Sequence, residues 1–99
     1  MSIDRKTIQI NLKRKISLIY KIDDSVLSND TTLEEFDRAN RNGDEGDALR
    51  LPDFMTYLEN RYCLGISKET EQSLVKMKFC DVVDHVCKMV EARRSFRYY

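Results

Sequence analysis

Asp47-Ala48-Leu49-Arg50-Leu51-Pro52-Asp53-Phe54-Met55-Thr56-Tyr57-Leu58-Glu59-Asn60-Arg61-Tyr62 is the stretch that decides the fold. Leu51, Phe54, Met55, Leu58 and Tyr62 fall at i, i+3, i+4, i+7 and i+11, a single apolar stripe with polar residues filling the other faces. That spacing predicts an amphipathic α-helix from about Asp47 to Tyr62. Asp47 suits its N-cap, where a carboxylate accepts a first-turn N–H. Pro52 would cost a backbone bond if the helix began there, and a start closer to Leu51 relieves the conflict.

Working upstream, residues 37–46 combine Asn, Asp and two glycines, a loop composition. Thr32-Leu33-Glu34-Glu35 before them is a capping box, which predicts a short turn of helix burying Leu33 and Phe36. Ile22, Val26 and Leu27 punctuate an otherwise polar linker and are expected to dip into the core. Ile8, Leu12, Ile16, Ile19 and Tyr20 form the stripe of a first helix ending near Lys21, with Lys13, Arg14 and Lys15 facing outward. Downstream, Ser67 to Leu74 is a short helix capped by Ser67. Phe79, Val82, Val83, Val86, Met89 and Val90 give a last helix over 79–92. Residues 93–99 are a basic, aromatic tail, expected to fray or to extend that helix.

A chain of 99 residues makes one small domain, and 41% hydrophobic against 34% charged residues argues against disorder. No apolar run approaches the roughly 20 residues that span a bilayer, and the first residues lack an apolar signal segment, so the expected address is cytoplasmic. Cys63, Cys80 and Cys87 are odd in number and make no CxxC pair, which fits reduced, mostly buried thiols. The net charge of zero hides a segregation. Residues 1–21 carry six basic side chains and one acid, whereas residues 22–47 carry nine acids and two bases. Blocks of this kind are expected to complement each other within the fold.

Asp47-Ala48-Leu49, followed by Phe54, Leu58-Glu59, Tyr62 and Ile66-Ser67, resembles the core of the acyl carrier protein family. Ile22 through Val26 and Thr31 through Phe36 look like that family's first loop, and Val82-Val83-Asp84-His85-Val86 is similar to its last helix. The resemblance spans about residues 5–92. It implies an all-α four-helix bundle of three longer helices and one short one, with a long loop after the first. It implies no enzymatic activity of its own. The family's role is to present acyl groups on 4′-phosphopantetheine, in lipid or specialised-metabolite biosynthesis. Its partners are acyltransferase or synthase enzymes and a phosphopantetheinyl transferase; no nucleic acid or membrane span is implied, and a monomer is expected. Ala48 occupies the position of the attachment serine, between Asp47 and Leu49. Arg50, Asp53, Phe54 and Glu59 occupy the partner-docking helix.

The departures bear on function. Alanine has no hydroxyl and forms no phosphodiester, so the chain as written cannot be charged. Asp53 and Glu59 balance Arg50 and Arg61, so the docking helix lacks the family's acidic character. The 37–46 loop is also longer than the family's. Ala48 is read either as an engineered replacement of serine or as a natural docking module without the attachment residue.

A second reading competes. Asn40, Asn42, Asp44 and Asp53 resemble the oxygen ligands of an EF-hand calcium loop, but the twelfth residue counted from Asn40 is Leu51 rather than an acid. No phosphate-binding glycine loop, zincin motif or nucleophile elbow occurs, and His85 is the lone histidine.

Overall fold

The computed structural model describes residues 4–40 and 50–96. These contain five α-helices: α1 (Arg5–Tyr20), α2 (Leu33–Asn40), α3 (Arg50–Tyr62), α4 (Lys68–Val75) and α5 (Phe79–Phe96). The expected all-α class holds. One more helix is present than the spacing predicts, because the turn after Thr32 continues through Asn40.

Helix α1 starts where Asp4 accepts the Lys6 N–H at 3.3 Å. Ile8, Leu12, Ile16 and Tyr20 repeat every fourth residue and are all buried. The helix stops at Lys21, whose left-handed backbone (φ 57°, ψ 47°) turns the chain and sends its N–H back to the Ser17 carbonyl. The Ser17 hydroxyl donates to the Ile22 carbonyl and fastens the same turn.

A single 3-10 turn, Asp24–Val26, follows. Leu27 enters the core as expected and Ile22 packs half-buried against it. Val26 does not: it is 53% exposed. One 3-10 turn aims its neighbours in different directions, so adjacent apolar residues cannot all reach the same core.

The Thr32 hydroxyl accepts the Glu35 N–H at 3.1 Å and starts α2, burying Leu33 and Phe36 as the capping box predicts. Residues 37–40, expected as loop, are helical. The reason lies outside the segment: the Asp37 carboxylate accepts a hydrogen bond from the Tyr20 phenol, and the Phe36 ring meets Tyr20 edge-on at 5.0 Å.

In α3, Pro52 lies in the first described turn, where a missing N–H leaves no intrahelical bond unmade. Phe54, Met55, Leu58 and Tyr62 are buried and Leu51 is half-buried. The helix ends at Cys63, again left-handed (φ 54°). Ser67 caps α4 by accepting the Thr70 N–H at 3.2 Å. Helix α5 continues past the expected 92 to Phe96.

Helix α1 packs on α3 and α5, and α2 packs on α3 and α4. Together they enclose one core centred on Leu12, Phe54, Leu58, Leu74, Phe79 and Val82. Each such side chain contributes roughly 1.5–3 kcal/mol on burial. No helix among the described residues is long and apolar enough to cross a membrane.

Candidate functional site

Asp47, Ala48 and Leu49 lie outside the described residues, as do Asn42 and Asp44. The surface next to them is that of α3, which begins in the structure at Arg50.

Asp53, Tyr57 and Arg61 repeat every fourth residue and so share one ridge of α3. With Thr56 and Asn60 from the same helix, and Lys15 and Ile19 from α1, they line an open groove between α1 and α3. Lys15, expected to face solvent, instead lies half-buried with its ammonium 5.3 Å from the centre of the Tyr57 ring. Tyr57 stacks on Phe54 at 6.3 Å and meets Tyr62 edge-on at 6.4 Å. The Arg61 guanidinium sits 5.7 Å from the centre of the Tyr62 ring. Burial pushes the Tyr57 phenol above its ordinary pKa, the neighbouring Tyr62 adds to that, and Arg61 opposes it.

The docking residues implied by the resemblance separate here. Asp53 is exposed and lines the groove. Phe54 is fully buried, so it holds the helix to the core and offers no contact to a partner. Glu59 is half-buried, and its carboxylate accepts the Ile66 N–H at 3.5 Å, which steadies the turn after α3. Of the proposed calcium ligands, Asn40 is the last residue of α2, and Asp53 faces the groove that Lys15 and Arg61 also line. Among the described residues no three His, Cys, Asp or Glu side chains gather.

The thiols depart from expectation. Cys63 is exposed, because the left-handed turn at the end of α3 carries it out of the core. Cys80 and Cys87 are half-buried on α5. Burial pushes the Cys87 thiol up in pKa, with Arg5 pulling the other way.

Nor do the described residues of the two charge blocks form an ion pair with each other. Among the described residues Arg5 of α1 bonds Asp84 of α5, and Arg38 pairs with Glu34 of its own helix at 3.6 Å. The Asp84 hydrogen bond raises the Arg5 pKa further. Lys6, Lys13, Arg14 and Lys21 make no ion pair with any described carboxylate.

Lys15, Thr56, Tyr57 and Asn60 are the groove residues that sequence reasoning missed. The available signal was the Asp53, Tyr57, Arg61 spacing, a polar-aromatic ridge beside the apolar stripe. Comparison with protein-family models, curated proteins and solved structures finds no match to this chain.

Proposed function

We propose that this chain is an acyl-carrier-like docking module that engages partner proteins through α3 and the α1–α3 groove and carries no prosthetic arm. One observation supports the reading most directly. Helix α3 is anchored by Phe54, Leu58 and Tyr62 while Asp53, Tyr57 and Arg61 stay at its groove surface, and position 48 falls two residues before its first described residue. A carrier needs that arrangement: an attachment position just ahead of a helix whose outer ridge meets the enzyme.

The mixed charge of the ridge fits a dedicated partner better than one that recognises an acidic helix. Lys15 and Arg61 offer two cations and Asp53 one anion around aromatic rings. Contacts of that composition specify a partner by charge pattern while the tyrosines supply area.

The test uses intact mass. Incubation with coenzyme A and a broad-specificity phosphopantetheinyl transferase leaves the chain unchanged, whereas Ala48→Ser gains the mass of one phosphopantetheine arm. Modification of the chain as written refutes the role assigned to Ala48. A serine variant that stays unmodified, and remains so with Arg50→Glu added to restore an acid, removes the carrier reading.

A further inference from the structure

Asp53 and Arg61 stand two turns apart on α3, so the helical rise sets them about 12 Å from each other along one ridge. Tyr57 lies midway between them, and the Lys15 ammonium of α1 rests 5.3 Å from the centre of its ring. The α1–α3 groove therefore has an anion at its Asp53 end, a cation at its middle and a second cation at its Arg61 end. Each cation leans on an aromatic ring, Lys15 on Tyr57 and Arg61 on Tyr62. Neither forms an ion pair with Asp53 or with any other described carboxylate. Ile19 and the Tyr57 ring give the groove an apolar floor, bordered by exposed Thr56 and Asn60.

We propose that this groove takes a helix of a partner protein, with a basic side chain set against Asp53 and acidic ones against Lys15 and Arg61. The inference rests on the docking role argued above and names its occupant. The groove, about 510 Å³ in volume, is open, so a small molecule would stay largely in water there, unlike ligands in enclosed pockets. Both walls are helices, whose mid-segment N–H and C=O groups are bonded internally, so an extended peptide would find no backbone partners. A helix satisfies its own backbone and meets the groove through side chains alone, as neighbouring helices do in a bundle. Side chains four apart on such a helix repeat at the spacing of Asp53, Tyr57 and Arg61. A base and two acids at successive four-residue steps thus match the anion and the two cations in register. A helix with the opposite pattern meets like charges and is rejected, so the groove selects its partner by charge order.

Amide chemical shifts of the isotope-labelled full chain, titrated with synthetic alanine-based helical peptides, test it. The probe peptide carries one Lys and two Glu at four-residue steps on one face, beside a leucine. The control has the same composition with those charges on different faces. The expected result is shifts concentrated at Lys15, Asp53, Tyr57 and Arg61, with the control binding roughly tenfold more weakly. Arg61→Glu weakens the probe by a similar factor, and a peptide with Lys in place of the facing Glu restores binding. Asp53→Lys behaves likewise and is restored by a peptide with Glu in place of the Lys. Circular dichroism checks both folds; if Arg61→Glu perturbs the spectrum, the Asp53→Lys pair decides. A chain that binds neither peptide, or both equally, overturns the proposal, as does a loss that the charge-swapped peptides leave unrestored. The same shifts produced by inorganic phosphate at the same concentration overturn it in favour of a small anion. Shifts on concentrating the chain alone overturn it in favour of a second copy. If Ala48→Ser accepts phosphopantetheine while no peptide binds, this inference falls and the carrier reading stands.

Discussion

The phenol of Tyr20, at the end of α1, donates a hydrogen bond to the carboxylate of Asp37 in α2, and both residues are more than nine-tenths buried. Asp37 is the one charged residue buried among those described. A carboxylate so placed is tolerated only with donors aimed at it, and Tyr20 is one of them.

Tyr20→Phe keeps the ring against Phe36 and deletes that donor. The expected loss is about 1–3 kcal/mol, because a buried charged acceptor is left short of a partner. For a domain of this size each kcal/mol moves the melting midpoint by about 4–8 °C. A thermal melt checks it, and a midpoint unchanged within about 1 °C would mean that the bond contributes nothing to stability.

Neighbouring residues on α3 are expected to differ sharply. Phe54→Ala opens a cavity in the core and should cost about 3–5 kcal/mol in urea unfolding. Asp53→Ala, on the exposed ridge, should stay within about 0.5 kcal/mol. Equal effects would contradict the orientation of the helix.

The three thiols should separate by reactivity. Cys63 is exposed, whereas Cys87 is half-buried and its thiol is held more firmly protonated. The thiolate is the reactive form, so alkylation in the native state should mark Cys63 first and Cys87 well after it. Denaturant should erase the difference. Peptide mass mapping over time gives the order, and Cys87 reacting first would contradict the packing of α5.

Tyr57 gives the fold an alkaline sensitivity. Its folded-state pKa is raised, above all by burial, so the folded state holds the phenolic proton more tightly than the unfolded chain does. Its contribution to stability is therefore fully present below the ordinary tyrosine pKa of about 10 and is lost as pH climbs through the higher folded value. Urea midpoints measured across that range should fall, and Tyr57→Phe should flatten part of the fall. A variant with the same alkaline slope as the parent would exclude Tyr57 as its source.

Much of the architecture was legible because it is local. The fourfold repeat of Ile8, Leu12, Ile16 and Tyr20, the Thr32 cap and the Ser67 cap each depend on residues within a turn or two, and each forms as its spacing predicts. The misses share a cause. Helix α2 outruns its loop-like composition because Asp37 finds a donor 17 residues upstream in Tyr20, which no window around 37–46 contains. Lys15 looked like solvent-facing charge because its partner ring, Tyr57, comes from another helix. At Phe54 periodicity and family resemblance gave opposite answers, core against docking contact, and burial sided with periodicity. The groove was half visible: the Asp53, Tyr57, Arg61 ridge can be counted in the sequence, but its opposite wall belongs to α1.

Helix α5 begins without a capping side chain, at Lys78, yet its first N–H groups are not left to water. The Phe79 N–H reaches the Thr31 carbonyl at 2.9 Å and the Cys80 N–H reaches the Asn29 carbonyl at 3.1 Å, while Leu33 bonds back to Met77 at 3.4 Å. The segment between α1 and α2 thus works as a clasp on a helix nearly fifty residues further along the chain. The start of α5 is fixed by chain topology rather than by its own sequence, and the first turn cannot complete its hydrogen bonding until the clasp arrives. That makes the connecting segment and the head of α5 one unit of opening and closing, in which amide protons at both places exchange together. Insertions between Ser28 and Thr32, which would pass for harmless loop changes, would be felt as fraying of the longest helix among the described residues.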